Sequence, residues 1–81
     1  MVTIVDELKN IFLNTKNIDF VDVEYNISHC DLTIVSDLFI NKSELEKQKF
    51  VYSKLKKYFL NNDIHSIKMN LFTRQEWNKK L

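Results

Sequence analysis

The chain holds two histidines, His29 and His65, and a single cysteine, Cys30. Neutral imidazole and thiolate are the ligands that zinc and iron–sulfur clusters take from proteins. His29 and Cys30 are adjacent, near the end of the stretch Asn26–Asp31, and His65 opens the apolar-alternating stretch IHSIKMNLF. A lone histidine is more often a satisfied, half-buried polar group than a ligand, and a lone cysteine more often a small apolar filler. Placement moves that balance a little toward the metal. If the strand after His65 lies beside the hairpin that carries His29 and Cys30, all three fall at one edge of a sheet. Two ligands from one chain fill neither a zinc tetrahedron nor the four ligand positions of a cluster. A site made from these residues is therefore half a site, and a partner must supply the rest.

The remaining composition excludes several classes of function. One cysteine forbids an internal disulfide and leaves no CxxC pair for structural zinc, which suits a reducing compartment. With no glycine, neither a P-loop nor GxGxxG can form. Serines and threonines fall at helix caps and strand ends, and carboxylate pairs such as Asp6-Glu7 at helix ends. No nucleophile–base constellation emerges, so the expectation is a protein that is not an enzyme. No apolar run approaches the ~18–20 residues of a membrane span. The acidic start, MVTIVDELKN, begins a helix rather than a targeting signal. A cytoplasmic location, extending to the nucleus, and no membrane association are expected.

The elements that must position these residues follow from periodicity. Thr3 with Asp6 resembles a capping box ahead of a helix over 3–15, whose apolar face is Ile4, Val5, Leu8, Ile11 and Phe12. Residues 18–25 alternate as a strand, with Val21, Val23 and Tyr25 on one side and Asp22 and Glu24 on the other. A loop over Asn26–Asp31 leads to a second strand over 32–36, a hairpin. Ser43-x-x-Glu46 caps a helix running to about Leu60, with Val51, Leu55, Tyr58 and Phe59 as its core stripe and Gln48 partly buried on it. Asn61-Asn62 close that helix, residues 64–72 form a third strand, and Thr73-x-x-Glu76 caps a short final helix in which Trp77 covers the edge of the sheet. Lacking glycine and proline, the chain must build its turns from Asn, Asp and Ser. The order αββαβα predicts one α+β domain, 1–81, with helices packed on one face of a three-stranded sheet.

Three motifs give the chain a resemblance to the BolA-like family. VSDLF at 35–39 resembles the family's V-S-D-x-F. LEKQKFVYSKL at 45–55 runs without a gap against its basic R-H-R triplet and the following V/I-Y-x-x-L. IHSIKMNLFTRQEW at 64–77 resembles I-H-A-L, a strand, and T-x-x-E-W. The likeness covers about residues 20–77. Lys47-Gln48-Lys49 replaces the basic triplet, Asn41 stands where relatives have glycine, and the loop between the first two strands is shorter. The resemblance implies a fold similar to class II KH domains without their GxxG loop. It also implies an accessory role in iron–sulfur cluster maturation or trafficking, or in iron homeostasis. The chain, a monomer when alone, would form a heterodimer with a monothiol glutaredoxin and share a bridging 2Fe–2S cluster. The partner would supply a cysteine thiolate and glutathione. His65 matches the family's C-terminal histidine ligand; the second ligand is either His29 or Cys30, between which the alignment does not choose.

Two other readings compete. Net charge is only +1, but residues 1–41 carry seven carboxylates against two lysines and residues 42–81 carry ten basic residues against four carboxylates. The lysine-rich helix 44–60, with Lys47 and Lys49 foremost, is then a nucleic-acid or partner surface of a transcriptional regulator, binding weakly and without sequence preference. Against it stands the ordinary solvated helix face, since lysine is a good helix former. The third reading is an interaction adaptor without metal.

Overall fold

Each helix begins where a hydroxyl is followed three residues later by a carboxylate. In the computed structural model, which describes residues 3–80, Thr3 and Asp6 close a capping box at the head of α1 (Ile4–Leu13). Ser43 and Glu46 do the same for α2 (Glu44–Leu60), and Thr73 and Glu76 exchange the same two bonds ahead of α3 (Arg74–Lys80). Each pair satisfies two amides that a helix start otherwise leaves bare. Residues 1, 2 and 81 of the expected domain lie outside those described.

The strands are β1 (Ile18–Asn26), β2 (His29–Ser36) and β3 (Ser66–Phe72), in the spatial order β1-β2-β3. β1 runs antiparallel to β2, and β3 parallel to it. A parallel neighbour requires a crossover, and the 17-residue α2 supplies it. Register sets Val21, Ile34 and Leu71 in one row and Val23, Leu32 and Met69 in the next. These rows face Leu8 and Phe12 of α1 and Val51, Leu55 and Tyr58 of α2 in one hydrophobic core. Tyr58 also donates to Glu7, tying α2 to α1.

The opposite face is polar over most of its length. Asp22, Glu24, His29, Asp31, Thr33, Lys68 and Asn70 occupy it, and the Asn70 amide donates to Asp31 and Thr33. At its far end Phe20, Val35 and Phe72 stand side by side. Trp77 of α3 stacks on Phe20, with centroids 5.4 Å apart, and lies tilted against Phe72 at 5.6 Å. Thus the α+β order is as expected and α1 and α2 cover one face, but α3 departs from the expected single helical layer and closes the end of the other face.

Left-handed backbone occurs at Asn17, Asn41 and Asn62, as expected of a chain without glycine. Asn41 (φ 63°) holds the position where the related motif has glycine. The serine of VSDLF is fully buried: Ser36 donates to the Asn17 carbonyl at 2.6 Å and accepts from the Leu38 amide, anchoring the 3-10 turn Asp37–Phe39.

Three further expectations are corrected. The loop expected over Asn26–Asp31 is only the two-residue turn Ile27-Ser28, both with positive φ, and β2 begins at His29. The third strand begins at Ser66 rather than 64: Ile64 fills the core and His65 links it to the strand. On α2 it is Lys47, not Gln48, that lies on the core stripe. Residue 47 is four positions before Val51 and lies about 40° from it on the side of Tyr58, whereas residue 48 lies about 60° from it, beyond Leu55 and farther from the middle of the stripe. The Lys47 stem is buried and its ammonium reaches Glu44 Oε1 at 3.1 Å.

Candidate metal-binding edge

The short hairpin turn controls the geometry. Ile27 (φ 46°) and Ser28 (φ 66°) bend the chain in a tight connection of the kind whose twist matches paired strands. The turn leaves the Ser28 carbonyl pointing along the sheet edge, where it accepts from the amides of His65, at 2.8 Å, and Ser66, at 3.3 Å. Those bonds pin the residue before β3 to the hairpin. His29 pairs in register with Ser66, the residue after His65. One strand spacing and one chain step therefore hold the two histidine Cα atoms within roughly 9 Å. Both histidines are solvent-exposed.

Strand alternation separates the two loop candidates. His29 projects on the polar face and Cys30 on the core face, in the row of Tyr25 and Ile67. Cys30 is 4% exposed. Burial, and secondarily the Asp31 carboxylate beside it, pushes its thiol up to about 11. A thiol so raised stays protonated near neutrality, while metal ligation needs thiolate. His29, by contrast, makes a close hydrogen bond from Nδ1 to Ser66 Oγ. In the tautomer protonated at Nδ1 the ring donates to that hydroxyl and presents Nε2 with a free lone pair, the arrangement of histidines that bind metals. Ser66 was not singled out from the sequence, because its role depends on a pairing across thirty-seven positions of chain.

The edge opens beside a cleft of about 380 Å³ whose wall includes Glu24, Tyr25, His29, Cys30, Ser66 and Lys68. The Tyr25 hydroxyl donates to the Asp63 carbonyl, which braces the turn leading to His65 from the other side. Among the described residues no group of three or more His, Cys, Asp or Glu side chains gathers where it could hold a metal ion. Two exposed imidazoles at one edge match the donor set of a half site. They fit a group that a second protein also holds, and cannot enclose one alone.

The lysine surface expected on α2 is corrected in part. Lys47 is buried and paired, so it is not a surface residue; Lys49 is exposed. The remaining lysines are dispersed around the helix. Lys49 and Lys56 share one side, whereas Lys54 lies over the Phe50 ring and Lys57 over that of Tyr58. No helix among the described residues is long and apolar enough to cross a membrane.

Comparison with known proteins places the chain in a family. The chain is 31% identical over 72 residues to the acid stress protein IbaG of Escherichia coli (strain K12), covering 89% of this chain and 86% of that protein. Its fold matches the structure of BolA1 from Arabidopsis thaliana with a TM-score of 0.77 at 15% identity, over 94% of this chain and 98% of that one. The solution structure of yeast Fra2 aligns with a TM-score of 0.62 at 25% identity, over 94% of this chain and 81% of the other. The sequence profile of the BolA-like proteins matches residues 4–76, nearly the whole described fold, and the chain belongs to that family.

Proposed function

We propose that the protein is an accessory factor in iron–sulfur cluster maturation or trafficking, or in iron homeostasis, and that it shares a bridging 2Fe–2S cluster with a monothiol glutaredoxin. His65 and His29 are this chain's two ligands; a cysteine thiolate and glutathione come from the partner. The observation that carries the reading is the hairpin turn that pins His65 beside His29 at an exposed edge. Cys30 is the weaker of the two candidates for the second ligand, because its thiol is buried on the opposite face. Imidazole ligation gives a bound cluster a higher potential than thiolate alone and makes its binding weaken on acidification, since only neutral imidazole binds.

This chain's own part is positional. Ser66 orients the His29 ring, the Ser28 carbonyl fixes the backbone at His65, and the polar face beside them leaves room for a second protein. The test is cluster reconstitution with a monothiol glutaredoxin and glutathione, followed by visible-region circular dichroism. The mixture is expected to give a spectrum distinct from that of the glutaredoxin homodimer. His65→Ala and His29→Ala abolish that spectrum with the fold intact, and Cys30→Ala preserves it. Loss with Cys30→Ala but not with His29→Ala reassigns the second ligand to the thiol. A mixture without a distinct spectrum, or three variants all like the parent protein, refutes the metal reading.

The alternative of a nucleic-acid-binding regulator gains no specific observation. Its first residue, Lys47, is inside the protein, and the other lysines do not form one stripe.

A further inference from the structure

Beside its core face α2 carries a second, largely exposed apolar stripe, of which only Phe59 packs against the core. Val51, Leu55 and Tyr58 are buried, yet Leu45, Tyr52 and Leu60 are 59%, 46% and 71% exposed. Half-buried Phe59 packs against Tyr52 with ring centroids 4.9 Å apart. Leu45, Tyr52 and Phe59 recur every seven residues, so they return to nearly the same side of the helix, roughly 100° around from the core stripe. Lys49 and Lys56 have the same spacing and lie among them. Together with Tyr52, Phe59 and Leu60 they wall a shallow groove of about 510 Å³ that no carboxylate lines.

The two lysines decide what fits there. The other lysines of α2 are engaged, Lys47 by Glu44 and Lys54 and Lys57 by aromatic rings. Lys49 and Lys56 make no ion pair or ring contact among the described residues. Glu46, one turn before Lys49, is bound to the Ser43 amide at the cap, and the Lys42 and Lys49 charges act on it only as weaker influences than that bond. A second copy of the chain laid on this stripe would set lysine against lysine. A helix with apolar residues at the same spacing and acidic residues beside them would cover the groove and pair both ammonium groups. We propose that the outward face of α2 is a docking groove for an acidic amphipathic helix of another protein, with Tyr52 as its central anchor. The groove is independent of the histidine edge and of the cluster reading.

The experiment titrates the isotope-labelled full chain with a synthetic three-heptad helix that carries Leu at a and d and Glu at e and g. Its arms are the same peptide with Lys in place of Glu, vesicles of phosphatidylcholine with phosphatidylglycerol, and single-stranded DNA. The Glu peptide is expected to shift amide resonances along residues 45–60 and the Lys peptide to leave them unmoved. Tyr52→Ala weakens binding about tenfold. Lys49→Glu combined with Lys56→Glu reverses the preference between the two peptides, a change that loss of folding cannot produce. Absence of binding by the Glu peptide, equal binding of both peptides, or stronger occupation of this face by vesicles or DNA overturns the proposal.

Discussion

At the scale of single residues, the hairpin turn is the least economical part of the chain. A type of turn that favours Asn-Gly is built from Ile27 and Ser28, and Ile27 is 84% exposed. A β-branched residue in left-handed backbone costs about 1–2 kcal/mol, and here no burial of the side chain offsets it. Ile27→Asn is therefore expected to stabilise the protein by about 1 kcal/mol and to raise the thermal midpoint by roughly 4–8 °C. A calorimetric scan of the variant checks this; a lowered midpoint would mean that the isoleucine packs in a way its exposure denies. The turn also explains why the sequence misplaced His29 and Cys30. Without Gly or Asn at the bend, the stretch reads as a loop in which neighbouring side chains share a side. Once the bend shrinks to two residues, both lie on a strand and alternation sends them to opposite faces. The chemical types of the candidate ligands were legible, but their directions required the turn.

At the scale of elements, the caps and the reverse-face stack carry the testable energetics. All three helix starts were readable, because a hydroxyl and a carboxylate three residues apart act locally. The seat of α3 was not, because it depends on Phe20 and Phe72 being brought into one row by non-local pairing. Trp77 there is half-buried, between two rings rather than within the core. Trp77→Ala is thus expected to cost about 2 kcal/mol, below the 3–5 of a fully buried aromatic, and to lower the midpoint by roughly 8–16 °C. Denaturant unfolding followed by far-ultraviolet circular dichroism measures it. The caps give the protein an acid dependence. Hydrogen bonds from the Ser43 amide and hydroxyl hold Glu46 below its ordinary value of 4.5, and those from the Thr73 amide and hydroxyl do the same for Glu76. For a lowered carboxylate the stabilisation is complete above the unfolded value, 4.5, and is lost as pH falls below it through the folded value. Glu76→Gln keeps an acceptor for the Thr73 amide but removes the titrating charge. The midpoint of that variant is expected to fall less steeply below pH 4.5 than that of the parent, and an identical slope would assign the acid dependence to other groups.

At the scale of the whole molecule, the sheet joins distant parts of the chain. β2 and β3 pair in parallel across the α2 crossover, so the His65 amide reaches the Ser28 carbonyl only when both halves of the domain are in place. Exchange of the His65 amide with deuterated water is expected to track the central β2 amides, with their dependence on denaturant, rather than fraying like a loop. Fast, denaturant-independent exchange would show that the edge opens by itself. The proximity of His29 and His65 is in this sense a product of the completed topology. A chain ending within α2 keeps His29 but lacks His65 and the β3 pairing that holds it in place. Any group that binds both side chains binds only the native state, and it stabilises the domain as a unit rather than one loop of it. Truncated or half-unfolded copies thus lack the edge as such, and a probe of its two histidines reads out the integrity of the whole fold.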